Sequence, residues 1–147
     1  MSRNKKKANK PTKTAEQKLI RSLKTKLWKL CKEITRKRYP PICYTCKKQI
    51  TEAKKMHTGH FLKDKSLPLQ LKYDLRILRI QCPTCNLFLD GNEGRYAIQL
   101  TRDHGPDYIV DFHDEVLLLE QEVLDNEQQI RFLETTIARY QSILEIE

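Results

Sequence analysis

The chain has 147 residues, 39% of them hydrophobic, and a formal charge of +9 from 28 Lys and Arg against 19 Asp and Glu. That length allows one compact domain with an arm or long helix and excludes two full domains. No stretch approaches the roughly 18 consecutive apolar residues of a membrane span and no apolar signal core opens the chain, so a cytoplasmic or nuclear, reducing compartment is expected, where paired cysteines favour metal over disulfide.

The charge is split along the chain. Fifteen Lys and Arg stand against two acids from Met1 to Arg38, whereas ten acids stand against two Arg from Asp111 to Glu147. A basic first part with an acidic last part reads as a nucleic-acid surface joined to an element with another task. Residues 1–14 are Lys-rich and nearly free of apolar side chains, and read as a flexible basic arm. Thr14, with Gln17 three residues on, is a helix-start signature. The helix predicted over 15–38 has an apolar stripe of Leu19, Leu23, Leu27, Leu30 and Ile34, and Pro40-Pro41 follow its end. Its other face carries Lys24, Lys29, Lys32, Arg36 and Arg38, candidates for phosphate contacts. Cys31 lies beside the stripe and reads as a small buried thiol.

Residues 42–58 suit short strands around a turn, and 61–74 read as a loop. Ile77, Leu78 and Ile80 predict a buried strand or turn running into Cys82. A short helix is expected over Asn86–Leu89, stopping at Asp90-Gly91, and another over 94–104, before Gly105-Pro106. From Val116 onward one long helix is predicted. Val116, Val123, Ile130, Ile137 and Leu144 fall seven apart, Leu119, Leu133 and Tyr140 take the second core row, and Asn126 interrupts it. That pattern predicts a coiled-coil-like seam, either between two copies of the chain or folded back on the body, with a homodimer preferred.

Cys43-x-x-Cys46 and Cys82-x-x-Cys85 are two knuckles separated by 35 residues. Two thiolates in one tight turn can chelate one ion, and two such turns supply the four ligands of a closed tetrahedral zinc site. Such a zinc has no open position for water, so its expected role is structural, and its binding free energy is largely folding free energy. A plain zinc ribbon needs only about 15–20 residues between knuckles. The excess here contains His57-Thr58-Gly59-His60-Phe61, and Asn86 directly follows the last cysteine. A His before one knuckle and an Asn after it, facing each other across a zinc-pinned hairpin, would supply a base and an oxygen ligand for a hard cation. That pairing suits phosphodiester hydrolysis.

In this order the residues resemble the HNH superfamily of nucleases. The run from Cys43 to about Ile109 is similar to the phage NinG (Rap) recombination proteins, through Gly59-His60-Phe61, Tyr73-Asp74, Gln81-Cys82-Pro83-Thr84-Cys85-Asn86, Gly91-Asn92, Tyr96 and Gly105. The Cys-x-x-Cys-Asn ending is also similar to resolvases of the endonuclease VII type. The resemblance implies a ββα-metal nuclease in which His60 is the general base and Asn86 a ligand of one Mg²⁺ or Mn²⁺. Asp90, four residues beyond Asn86, is a candidate second ligand. It implies branched recombination or replication intermediates, such as four-way junctions, as the DNA substrate.

The sequence departs from the wider pattern at three places. Gly59 stands where many HNH enzymes have Asp or His, although the resembled recombination proteins also have Gly there. His57 replaces their acidic residue and is a substitute ligand candidate, and Ile77 replaces the middle Asn. Lys63, Lys65, Arg76 and Arg79 are candidates for contacts to the scissile strand. The expected architecture is thus α+β: a basic arm (1–14), a basic helix (15–38), a zinc-stapled core (39–110) and an acidic helical dimerisation segment (111–147). Two other readings of these residues are a non-catalytic zinc-bound nucleic-acid-binding protein and an HNH nickase of duplex DNA acting in phage genome packaging.

Overall fold

A computed structural model describes residues 14–147, so the predicted arm, apart from Thr14, lies outside the described residues. The chain is α+β. Helix α1 (Ala15–Arg38) starts on the anticipated Thr14–Gln17 capping box. The first knuckle follows, then strand β1 (His57–His60), the four-residue helix α2 (Leu69–Lys72) and strand β2 (Leu78–Gln81). A single π-helical turn at Thr84–Phe88 leads into α3 (Glu93–His104), α4 (Asp107–Leu119) and α5 (Asn126–Ile146). Among the described residues no helix is long and apolar enough to cross a membrane.

The two strands form one antiparallel ladder, pairing His57 with Gln81, Gly59 with Arg79 and His60 with Leu78. Side chains alternate across a strand, so His60, Leu78 and Ile80 share one face while His57, Gly59, Arg79 and Gln81 share the other. Helix α1 covers the first face: Leu78 packs with Leu27, Cys31 and Ile34. Every residue of β2 is buried, Arg79 and Gln81 on the opposite face included. A second cluster, from Phe61, Leu71 and Ile77 to Tyr96, Leu100, Phe112 and Val116, joins the inter-strand loop to α3 and α4.

The acidic C-terminal part differs from its expected form. One continuous helix from Val116 does not occur: α4 ends at Leu119, and α5 begins at Asn126. Asp125 caps the new helix, accepting a 2.8 Å bond from the Gln128 N–H, while the Gln128 side chain accepts from the Asp125 N–H. That reciprocal cap satisfies a helix start locally, and it competes successfully with the heptad spacing. Val116 therefore belongs to the α4 core, Val123 is 93% exposed in the intervening turn, and Asn126 is a first-turn residue that bonds Glu16.

The seam of α5 is used within the chain. Leu133, Ile137 and Tyr140 are buried against Ile20, Leu27, Cys31 and Ile34 of α1. Asn126 meets Glu16 at one end of the pair and Glu147 meets Arg38 at the other, so the two helices run parallel. The apolar surface anticipated for a homodimer is thus spent on α1. Cys31 is fully buried, as its reading required, and burial pushes its thiol up to about 12.

Candidate metal centre and active site

The knuckles bring Cys43, Cys46, Cys82 and Cys85 together, with their sulfurs all within 4.8 Å of one another. A tetrahedral zinc–thiolate site with bonds of about 2.3 Å has sulfur–sulfur edges near 3.8 Å, and Cys46 Sγ lies 3.8 Å from Cys82 Sγ. The donors around the sulfurs suit thiolates: the Cys85 N–H points at Cys82 Sγ and Asn92 Nδ2 at Cys85 Sγ. Burial raises the Cys43 thiol, but the Thr45 hydroxyl and nearby backbone N–H groups outweigh it and hold this cysteine below its usual value. The four residues can hold a zinc ion. Among the described residues no other set of three or more His, Cys, Asp and Glu ligand atoms converges in this way.

At the His60 end of β1 lies an open cleft of about 500 Å³. Its lining includes His60, Lys63, Asp64, Asn86, Asp90 and Gly91, so the structure brings His60 together with Asn86 and Asp90 as anticipated. The His60 ring stacks on Trp28 of α1, with centroids 5.0 Å apart and planes within 9°. His60 Nε2 lies 2.8 Å from the Lys72 carbonyl. A carbonyl oxygen can only accept, so Nε2 carries the proton and Nδ1 keeps the lone pair. Burial lowers the His60 pKa below the ordinary histidine value and favours the neutral ring.

Asn86 sits at the centre of the π turn, immediately after the last knuckle cysteine. Its Nδ2 donates to His57 Nδ1 at 3.0 Å, which leaves Oδ1 as the amide's available oxygen. His57 therefore orients Asn86 from behind, and it is not part of the cleft lining. Asp90 pairs with Lys63 across the cleft mouth. The turn closes through three consecutive residues at positive φ, Asp90, Gly91 and Asn92. The Gly91 carbonyl accepts a 2.8 Å bond from the buried Gln81 amide, which ties the turn back to β2.

The same amide explains Gly59. The Gln81 side chain fills the space beside it, and a Cβ at residue 59 would overlap Oε1 outright. The glycine next to His60 is therefore demanded by packing, because Gln81 spans from Thr45 of the first knuckle to Gly91. Ile77 is likewise a packing residue, 1% exposed in the second cluster. Tyr96, part of the sequence resemblance, places its hydroxyl 2.9 Å from the Gly59 carbonyl and 2.8 Å from that of Ile77, bracing the loop that leaves β1.

The proposed cationic residues divide. Lys29 and Arg36 are exposed on α1, Lys24 and Lys32 half-buried, and none of the four forms an ion pair among the described residues. Lys24 and Lys32 flank Trp28 at four-residue steps, which puts them on the helix face nearest His60. Lys65 lines the cleft. Three arginines depart from expectation. Arg38 is held by Glu147, and Arg76 lies between Asp74 and Glu115 at 2.7 Å from each. Arg79 is 3% exposed: it points away from His60, donates to the carbonyls of Leu75, Arg76 and Leu78, and packs over Tyr39. Its strand parity decides this, since Arg79 pairs with Gly59 and so shares the face opposite His60. His104 bonds the Arg79 guanidinium and stacks on Tyr108.

Sequence reasoning missed Trp28, Lys72 and Asp64. The ring and the carbonyl that hold His60 are distant in the chain, and only Asp64 had a local signal, being an acid close after His60. Comparison with family models, curated proteins and solved structures returned no match.

Proposed function

We propose that the chain is a metal-dependent DNA endonuclease with a zinc-stapled ββα-metal core, acting on branched recombination or replication intermediates. The observation that carries this reading is His60: an imidazole held by Trp28 and the Lys72 carbonyl in a cleft that it shares with Asn86 and Asp90. A general base needs its lone pair free at working pH, and the geometry leaves that role to Nδ1.

In the proposed reaction His60 Nδ1 takes a proton from a water as its oxygen forms a bond to phosphorus and the bond to the 3′ oxygen breaks. The leaving oxygen takes its proton from solvent. Asn86 Oδ1 and the Asp90 carboxylate are hard oxygen donors that fit one Mg²⁺ or Mn²⁺, which binds through one or two protein oxygens, waters and substrate phosphate. Such an ion stabilises the charge that develops on the phosphate and leaving oxygen. Lys63 competes with it for Asp90. Lys24, Lys29, Lys32, Arg36 and Lys65 supply the phosphate contacts. Such contacts position DNA without reading its sequence. The branched substrate rests on the resemblance to the recombination proteins, and dimerisation would need a surface other than the α5 seam.

A non-catalytic DNA-binding protein is the second reading, favoured by the Lys63–Asp90 pair, which already neutralises a carboxylate proposed to hold the ion. The test compares cleavage of a labelled four-way junction and its matched linear duplex, with Mg²⁺ or Mn²⁺, by wild type and His60→Ala. Both proteins are first shown to hold zinc and to bind DNA. Preferential cutting of the junction by wild type, with binding but no cutting by the variant, supports the nuclease. Tight binding without cleavage under either ion overturns it.

A further inference from the structure

Leu87, Phe88 and Leu89 are 62%, 82% and 54% exposed, three consecutive large apolar side chains facing water directly after Asn86. Single exposed apolar residues are ordinary, whereas contiguous ones mark contact sites. Burial was open to this segment, because the α-helical course expected here would turn successive side chains around the helix. Instead the Leu89 N–H bonds the Thr84 carbonyl, five residues back, and the Gly91 N–H reaches the Cys85 carbonyl. The chain then passes through three residues at positive φ. Both ends are anchored, one in the cysteine cluster and the other by the Gln81 bond to Gly91. The apolar tripeptide is thus a rigid projection.

Its position indicates what covers it. Leu87 lines the same cleft as His60, Asn86 and Asp90, whose mouth carries Lys63 and Lys65. A nucleic-acid strand has the matching polarity, with phosphates on one edge and flat apolar base faces on the other. With a phosphate beside His60 and Asn86, the neighbouring bases reach Leu87 in the cleft wall and the exposed Phe88 that follows it in the chain. Apolar side chains at such places enter between base steps and partly unstack them, at least cost where stacking is already broken.

We propose that Leu87 and Phe88 form a wedge that occupies the unstacked bases at a DNA branch point, and that this wedge, not the phosphate contacts, confers preference for branched over linear DNA. The proposal rests on the nuclease reading for the path of the strand, but its test reads binding alone. The full zinc-loaded chain is titrated, without added divalent ion, into a four-way junction carrying 2-aminopurine at the branch and into the matched duplex. Emission of that base rises when it is unstacked.

Wild type is expected to raise the branch-point emission. Phe88→Ala is expected to lose that rise and about tenfold of the junction-over-duplex preference, from the loss of one aromatic–base contact, with duplex affinity unchanged. Phe88→Trp retains both and adds a tryptophan whose emission is quenched by the junction. Because Phe88 is exposed, zinc content and the unfolding midpoint should stay at wild-type values. An unchanged emission rise and preference in Phe88→Ala overturns the wedge, as does a variant that alters only the sedimenting mass, which would make the patch a protein contact. Absence of cleavage removes the nuclease reading and leaves these binding results standing. Conversely, Phe88→Ala that still cuts junctions with full preference removes the wedge alone.

Discussion

Replacing Gly59 by alanine changes one hydrogen to a methyl group next to the proposed base, yet the structure assigns it a large cost. The new Cβ would occupy the space of Gln81 Oε1, and Gln81 is completely buried. The amide must swing aside, giving up its 3.1 Å bond to Thr45 Oγ1 and its 2.8 Å bond to the Gly91 carbonyl. Two buried hydrogen bonds at about 1 kcal/mol each, with at least about 1 kcal/mol for overpacking, total about 3 kcal/mol. For a domain of this size that lowers the thermal midpoint by about 10 °C. Gly59 is not at positive φ, so backbone strain adds nothing. The assay is unfolding of the zinc-loaded protein followed by circular dichroism, in a double-mutant cycle with Gln81→Ala. With the amide gone, Gly59→Ala should cost less than about 1 kcal/mol. An equal cost in both backgrounds, or a single-variant shift within about 2 °C of wild type, refutes the reasoning.

Stripping metal with a strong chelator should unfold residues 39–110 cooperatively, and Cys82→Ser should do so without chelator; retention of the native near-ultraviolet spectrum in either case would exclude a structural metal. The lowered pKa of His60 has a stability sign: between its folded value and about 6.5 the unfolded chain binds the extra proton, so stability is full above that window and falls as pH drops through it. His60→Gln should flatten that slope in denaturant midpoints measured from pH 5 to 7, and cleavage should persist below pH 6.5 in the wild type if the ring is the base. Arg79→Ala should cost several kcal/mol through lost packing and carbonyl bonds while leaving the salt dependence of DNA binding unchanged. Lys32→Ala should instead reduce the slope of log affinity against log salt by about 1 at little cost in stability, and the reverse pattern would reassign both residues. Leu133→Ala, at the fully buried contact of α5 with α1, should cost about 2–5 kcal/mol in a chain whose sedimenting mass is unaltered; if the mass changes instead, the seam also serves an intermolecular contact.

The metal cluster was legible because a CxxC turn is a local object: the four cysteines and the tight turns at Cys43 and Cys82 need little from the rest of the chain. The capped start of α1, the strand at Leu78–Gln81 and the breaks at Pro40-Pro41 and Gly105-Pro106 were legible for the same reason, each following from residues within a few positions. So was the division at Asp125, whose cap with Gln128 was in plain sight but outweighed by the regular heptad. The sequence alone could not say which side of β2 faces what. One step of register separates Leu78, against α1, from Arg79, buried among aromatic rings on the other face, and that choice turned an expected phosphate contact into a core residue. Nor could it find Trp28 and the Lys72 carbonyl, which fix the plane and the proton of His60 from 32 and 12 positions away. The partner of the α5 seam was equally undetermined, because an apolar stripe carries no record of whether its complement lies in the same chain. Only packing decides between surfaces of equal hydrophobicity, and here it chose α1, whose apolar residues pack against both α5 and Leu78 of β2.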